Sequence, residues 1–108
     1  MKKREIIKSS REYTEIINLN KVIRNKYFSI YYRRNNEDSR YGISIPKKIG
    51  KAVIRNKTKR RIKNILDNHK NTIQKGYDYV IIVRKGILEL TYLDIERELL
   101  KLIRNIGD

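Results

Sequence analysis

The chain has 108 residues, with 27 Lys and Arg against 12 Asp and Glu and a formal net charge of +15 at pH 7; that length supports one domain with a modest core, taken here as residues 1–108 with a basic arm at 1–8. The absence of cysteine excludes disulfides, Cys-ligated zinc and thiol catalysis, and the single histidine, His69, excludes a His-rich metal site. No apolar run approaches the roughly 20 residues of a membrane span, and Met1-Lys2-Lys3-Arg4-Glu5 leads into no apolar signal segment, so a cytoplasmic address and no membrane partner are expected.

After the arm, which reads as loosely ordered, Ser9 and Glu12 stand at capping-box spacing. Tyr13, Ile16 and Ile17 follow at i, i+3, i+4, which predicts a short helix over 10–18. Val22-Ile23 is a candidate short strand. Residues 26–33 alternate, with Phe28, Ile30 and Tyr32 facing one way and Tyr27, Ser29 and Tyr31 the other. A polar turn at 35–39 leads to a second strand at 40–45, and the short link predicts an antiparallel hairpin of the two. Residues 50–68 read as a helix with Ile54, Thr58, Ile62, Ile65, Leu66 and His69 on its apolar face, His69 serving as core packing or a C-terminal cap. The run from Tyr77 to Arg84 is nearly all apolar, as expected of a strand buried on both sides. Thr91 and Asp94 form a second capping box, opening a helix over 92–105. The fold class is therefore α+β: a small sandwich of helices packed on a mixed sheet of about four strands, in the order α-β-β-(β)-α-β-α.

The charge is concentrated. Nine of the seventeen residues at 47–63 are Lys or Arg, and none is acidic. Arg55, Lys59 and Lys63 rise along one edge of the helix, with Asn56 and Arg60 beside them. Like charges at these spacings repel by roughly 0.2–0.5 kcal/mol per pair. A phosphate backbone would remove that cost, so the stripe is read as a phosphate-contacting surface rather than a merely solvated face. Five of the nine aromatics, Tyr27, Phe28, Tyr31, Tyr32 and Tyr41, lie in the two strands; some must be core, and others could stack on unpaired bases.

No catalytic constellation is visible. The twelve carboxylates are scattered; Glu37 and Asp38 lie in a turn, and Asp94, Glu96 and Glu98 in a capped first turn, each with a structural explanation. A two-metal nuclease needs several carboxylates converging on one side of a sheet. No catalytic or metal-ligating residue is assigned in this chain.

Residues 44–63, Ser-Ile-Pro-Lys-Lys-Ile-Gly-Lys-Ala-Val-Ile-Arg-Asn-Lys-Thr-Lys-Arg-Arg-Ile-Lys, closely resemble the signature of the bacterial ribonuclease P protein component, K-K-x-G-x-A-V-x-R-N-x-x-K-R-x-x-R. The resemblance extends over most of the chain, including the aromatic strands, the Asp-Tyr-Val-Ile-Ile-Val-Arg segment at 78–84 and the final helix. It implies a protein subunit that binds a catalytic RNA and holds the 5′ leader of precursor tRNA in a cleft, while the RNA carries the active site and its Mg2+. It implies RNA-binding roles for Lys47, Lys48, Lys51, Arg55, Asn56, Lys59, Arg60 and Lys63, and a leader cleft formed by Tyr13, Ile17, Phe28 and Tyr31. Ile17 stands where the family often has an aromatic, and Lys57 and Lys63 stand where many members have Arg. A left-handed β-α-β crossover is also implied.

Three other readings compete. A non-enzymatic RNA-binding protein of the ribosomal or RNA-chaperone type shares the charge but not the motif. A protein-only nuclease requires a carboxylate centre. A helix-turn-helix DNA binder requires a second helix just before the basic one, where the strands lie, so no DNA partner is expected.

Overall fold

The computed structural model describes residues 1–107. The elements are α1 (Ser10–Asn18), β1 (Val22–Arg24), β2 (Phe28–Arg34), β3 (Arg40–Ser44), α2 (Ala52–His69), β4 (Tyr77–Val83) and α3 (Tyr92–Ile103). The strands form one mixed sheet in the order β1-β2-β4-β3. Among the described residues no helix is long and apolar enough to cross a membrane.

β4 is the middle of this sheet for a simple reason. Every residue of it except Ile82 is buried, so it needs cover on both faces and a hydrogen-bonding neighbour on both edges. It pairs antiparallel with β2 and parallel with β3, to which it is joined through α2. On one face Phe28, Ile30, Tyr41, Ile43, Tyr79, Ile81 and Val83 meet Ile62, Ile65 and Leu66 of α2 and Ile95, Leu99 and Ile103 of α3. Tyr41 and Tyr79 stack there with ring centroids 5.5 Å apart. The opposite face carries a smaller cluster in which Ile16 of α1 packs with Ile7 and Val80.

The capping box expected at Thr91 is formed, and that expected at Ser9 only by half, because the Glu12 carboxylate turns to Arg40 and Arg33. Ser9 Oγ accepts from the Glu12 N–H; Thr91 Oγ1 accepts from the Asp94 N–H while the Thr91 N–H donates to Asp94 Oδ2. His69 ends α2 half-buried, its Nε2 3.1 Å from Glu96 Oε2, which ties α2 to α3. Ile54, placed on the apolar face by periodicity, is 40% exposed because the first turn of α2 reaches beyond the core.

Two expectations fail. β2 and β3 are not a hairpin: β4 inserts between them. A gap of two strand spacings is about 10 Å, and the five linking residues can span about 17 Å. The link instead crosses the end of β4, with the Asn35 N–H donating to the Gly76 carbonyl at 2.8 Å and Asn36 in the left-handed region at φ 59°. The arm is not loose either. Ile6 bridges to Tyr41 on the free edge of β3, the Ile7 N–H donates to the Tyr41 carbonyl at 3.0 Å, and Ile7 is 2% exposed. The Met1 ammonium lies 2.8 Å from Asp67, and Lys70 bridges Asp67 and Glu5. Two adjacent isoleucines in a basic arm are enough to dock it, and docking covers an otherwise open edge.

Ile7→Ala is expected to lower unfolding stability by about 2 kcal/mol. A urea midpoint equal to that of the parent chain would show the arm to be dispensable.

Candidate nucleic-acid interface

The basic segment is handled differently from the arginines of the sheet and the lysine that holds the arm. Among the described residues, none of the nine cations at 47–63 makes an ion pair, whereas Arg33, Arg40, Lys70 and Arg97 are each paired with two or more carboxylates. α2 also lacks the caps of the other two helices. Its N-cap is Lys51, with no side-chain cap, and its first turn holds no acid. The free N–H groups and the positive end of the helix dipole therefore add to Lys47, Lys48, Lys51 and Arg55 instead of being neutralised.

The structure widens the predicted stripe. Arg55, Lys59 and Lys63 run along one flank, and Asn56 and Arg60 face outward. The other flank is also basic: Lys57, Arg60, Arg61 and Asn64 border a shallow hollow of about 550 Å³ closed by Tyr92 of α3. The Tyr92 hydroxyl donates to Asn64 Oδ1 at 2.8 Å. Lys57 and Arg61 stand at i, i+4 in the same acid-free run, a signal that was present but not used. The role of Tyr92 depends on how α3 docks and has no local signature.

The second part of the site is the sheet face under α1. Register lays its side chains out in three rows. Arg24, Ser29, Ile82 and Ser44 form one; Val22, Tyr31, Val80 and Gly42 the next; Arg33, Asp78 and Arg40 the third. α1 covers the middle row. Ile16 buries Val80, and Tyr13 lies directly over Gly42, where a Cβ would fall 2.5 Å from its hydroxyl oxygen. The first row stays partly open. It lies at the end of the sheet where β3 leads through Pro46 into Lys47 and Lys48, so the open floor adjoins the basic N-terminus of α2.

Tyr13, Ile17 and Tyr31 share this face and are half-buried around the Val80 cluster, together with Ile82. Phe28 does not. It is 0% exposed and sits in the core on the opposite face, so its assignment to the cleft is corrected. Strand alternation already separates positions 28 and 31, and a residue facing the two-helix layer cannot also face the cleft. Arg24 is a cleft residue that the sequence reading missed. Its guanidinium carbon lies 6.0 Å from the Tyr31 ring centroid, and Nη2 is 3.4 Å from the Tyr31 hydroxyl. Burial raises the Tyr13 phenol above its ordinary value, so it remains a neutral hydroxyl at physiological pH.

The third row is an ionic cluster. The Asp78 side chain is fully buried. It accepts from Arg33 Nε at 3.0 Å, Arg40 Nε at 3.0 Å, Arg40 Nη2 at 2.9 Å and Asn35 Nδ2 at 2.7 Å. Arg40 also donates to Glu12 of α1 at 2.6 Å, and Arg33 reaches Glu12 and Glu15. Burial alone would raise the Asp78 carboxyl; the bonds from Arg40, Asn35 and Arg33 outweigh it and hold the group below the usual carboxylate range. These carboxylates are committed to arginines. Among the described residues no group of three or more His, Cys, Asp or Glu side chains is placed to hold a metal ion.

An α+β domain with one cationic helix, acid-free over its basic stretch to Lys63, beside a partly open, aromatic-bearing sheet face is a polyanion-binding module. Comparison with known proteins narrows this. Residues 1–107 match the family model described as Ribonuclease P. The chain is 48% identical to the ribonuclease P protein component of Mycoplasma capricolum, over 98% of this chain and 99% of the relative. It is 39% identical to that of Streptococcus agalactiae, over 99% and 98%. The fold superposes on the RNase P protein of Thermotoga maritima with a TM-score of 0.90 at 35% identity, covering 97% of this chain and 100% of that one. The Staphylococcus aureus RNase P protein gives 0.87 at 31% identity, covering 94% of each. The chain belongs to the ribonuclease P protein family. That membership makes it a protein component of a ribonucleoprotein in tRNA processing and leaves the ribosomal or chaperone alternative without support.

The lowered Asp78 value gives a sign for acid sensitivity. The folded carboxyl titrates below its unfolded value of about 3.9, so its stabilisation is complete above that pH and is lost as pH falls through the folded value. Asp78→Asn is expected to cost about 3 kcal/mol at pH 7. Urea unfolding at neutral and acidic pH checks this: the gap from the parent should close below pH ~4.

Proposed function

We propose that this chain is the protein subunit of a ribonucleoprotein ribonuclease P that binds the catalytic RNA through residues 47–63 and the 5′ leader of precursor tRNA on the α1 face, while bond cleavage and Mg2+ binding belong to the RNA. The observation that carries this reading is the run of nine cations without an acidic partner, continuous with the open row of the sheet. Unpaired cations on a rigid helix displace counterions from RNA and lose their own repulsion on contact. Asn56, Arg55 and Arg60 add directional bonds to phosphate and ribose oxygens, and the Arg forks do so bidentately.

The cleft suits a single strand. Tyr31 and Tyr13 offer ring surface, worth about 1–3 kcal/mol per stacked base and tolerant of sequence. Ile17 and Ile82 supply apolar walls that exclude water without stacking. Arg24 stands beside Tyr31 to meet a backbone phosphate. Added positive charge where leader and catalytic RNA converge lowers the Mg2+ concentration at which the RNA works.

Reconstitution tests the proposal. Protein plus catalytic RNA should remove the leader at Mg2+ concentrations where the RNA alone is silent, and protein alone should leave precursor tRNA intact. The triple variant Arg55→Ala, Arg60→Ala, Lys63→Ala is expected to weaken binding to the catalytic RNA by about 100-fold or more. It should also make the slope of log affinity against log salt shallower by about 2–3. Cleavage by the protein without RNA, or a salt-independent affinity, overturns the reading.

A further inference from the structure

We infer that Glu12, Arg40 and Asp78 are positioning residues for the leader strand: together they clamp α1 to the sheet and set the separation between Tyr13 on the helix and the cleft floor. This rests on the leader-binding reading above. α1 has nine residues, fewer than a helix needs to persist by itself, and Ile16 is its one buried side chain. Tyr13 and Ile17 pack beside it only half-buried, so apolar contact holds the helix at one narrow line. The second anchor is ionic. Arg40 Nη2 bridges Glu12 Oε2 at 2.6 Å and Asp78 Oδ2 at 2.9 Å, so one guanidinium joins the first turn of α1 to the central strand.

Arg33 supports the bridge from β2 through Asp78 at 3.0 Å and Glu12 at 3.4 Å. The bridge is built into the sheet, because Arg33, Asp78 and Arg40 are register partners on three adjacent strands. It directly precedes the cleft in sequence: Tyr13 follows Glu12 and seats its ring on Gly42 with no room for a methyl group. Fixing Glu12 therefore fixes where the Tyr13 ring stands above the floor. Ile17, four residues on, moves with it. None of the three residues belongs to the cationic helix, so their effect is on the leader and not on the catalytic RNA.

Glu12→Gln is the informative variant, because it removes the charge from the Glu12–Arg40 and Glu12–Arg33 pairs, leaving Arg33–Glu15 at 3.5 Å as the remaining ion pair from α1 to the sheet and the Asp78–Arg40 and Asp78–Arg33 bonds in place. The holoenzyme is reconstituted with parent or variant protein, and KM and kcat are compared for precursor tRNAs with long and one-nucleotide leaders. The parent should favour the long leader. The variant should lose roughly ten-fold of that preference in KM, the scale of a small misplacement. Its thermal midpoint, its affinity for the catalytic RNA and its kcat on the short-leader substrate should stay at parent values. Arg40→Lys, which keeps the charge but not the fork, should fall in between. An unchanged preference in folded Glu12→Gln overturns the clamp, as does an equal loss on both substrates. No leader preference in the parent overturns the cleft reading itself, and the clamp with it.

Discussion

The insertion of β4 between β2 and β3 is the constraint from which the rest follows. A seven-residue strand that is buried on both faces has to be central, and its neighbours are two of the three strands that precede it, β2 and β3. Centrality creates two faces with different fates. One is sealed by the long helices α2 and α3. The other receives only nine-residue α1, which covers the middle of the sheet and leaves a row beside it accessible. The cleft is what remains when a sheet has more surface than a short helix can cover.

Charge is partitioned in the same way. Acidic residues are spent where they hold the architecture: Asp78 and Glu12 on the arginines of the sheet, Asp67 and Glu5 on Lys70 and the arm, Asp94 on a cap. Among the described residues none of the carboxylates pairs with a cation of 47–63. A fully buried carboxylate is tolerable only because four donors surround it; with fewer it would raise its pKa or unfold its surroundings. The cationic helix faces the opposite situation, since its repulsion is relieved only by a partner from outside.

Most of the secondary structure was legible because each element has local punctuation: Ser9 and Thr91 as caps, the period-2 alternation of β2, the unbroken apolar run of β4. The cationic surface was equally legible, as a composition without acids. What local signals lack is pairing. Strands 28–34 and 40–44 look like a hairpin because adjacency in sequence is the default, and only the demand of β4 for two edges says otherwise. The docking of the arm rested on two isoleucines among cations. Phe28 shows how a resemblance can mislead when it is not checked against strand parity, for alternation alone places it with Ile30 and away from Tyr31. Tyr92 was invisible because its partner Asn64 is distant in the chain, and Arg24 because it meets Tyr31 only once β1 has paired with β2.

The loop crossing the end of β4 has a consequence for biosynthesis. β2 and β3 emerge from the ribosome with a vacant slot between them, and that slot stays vacant through the whole of α2. A nascent chain that stops short of residue 77 exposes two unsatisfied strand edges next to a finished polycationic helix. Most of the sheet's strand pairing thus waits on a late arrival, the kind of non-local pairing that slows folding. During that interval the polypeptide already carries its affinity for ribose-phosphate chains while lacking the scaffold that directs it.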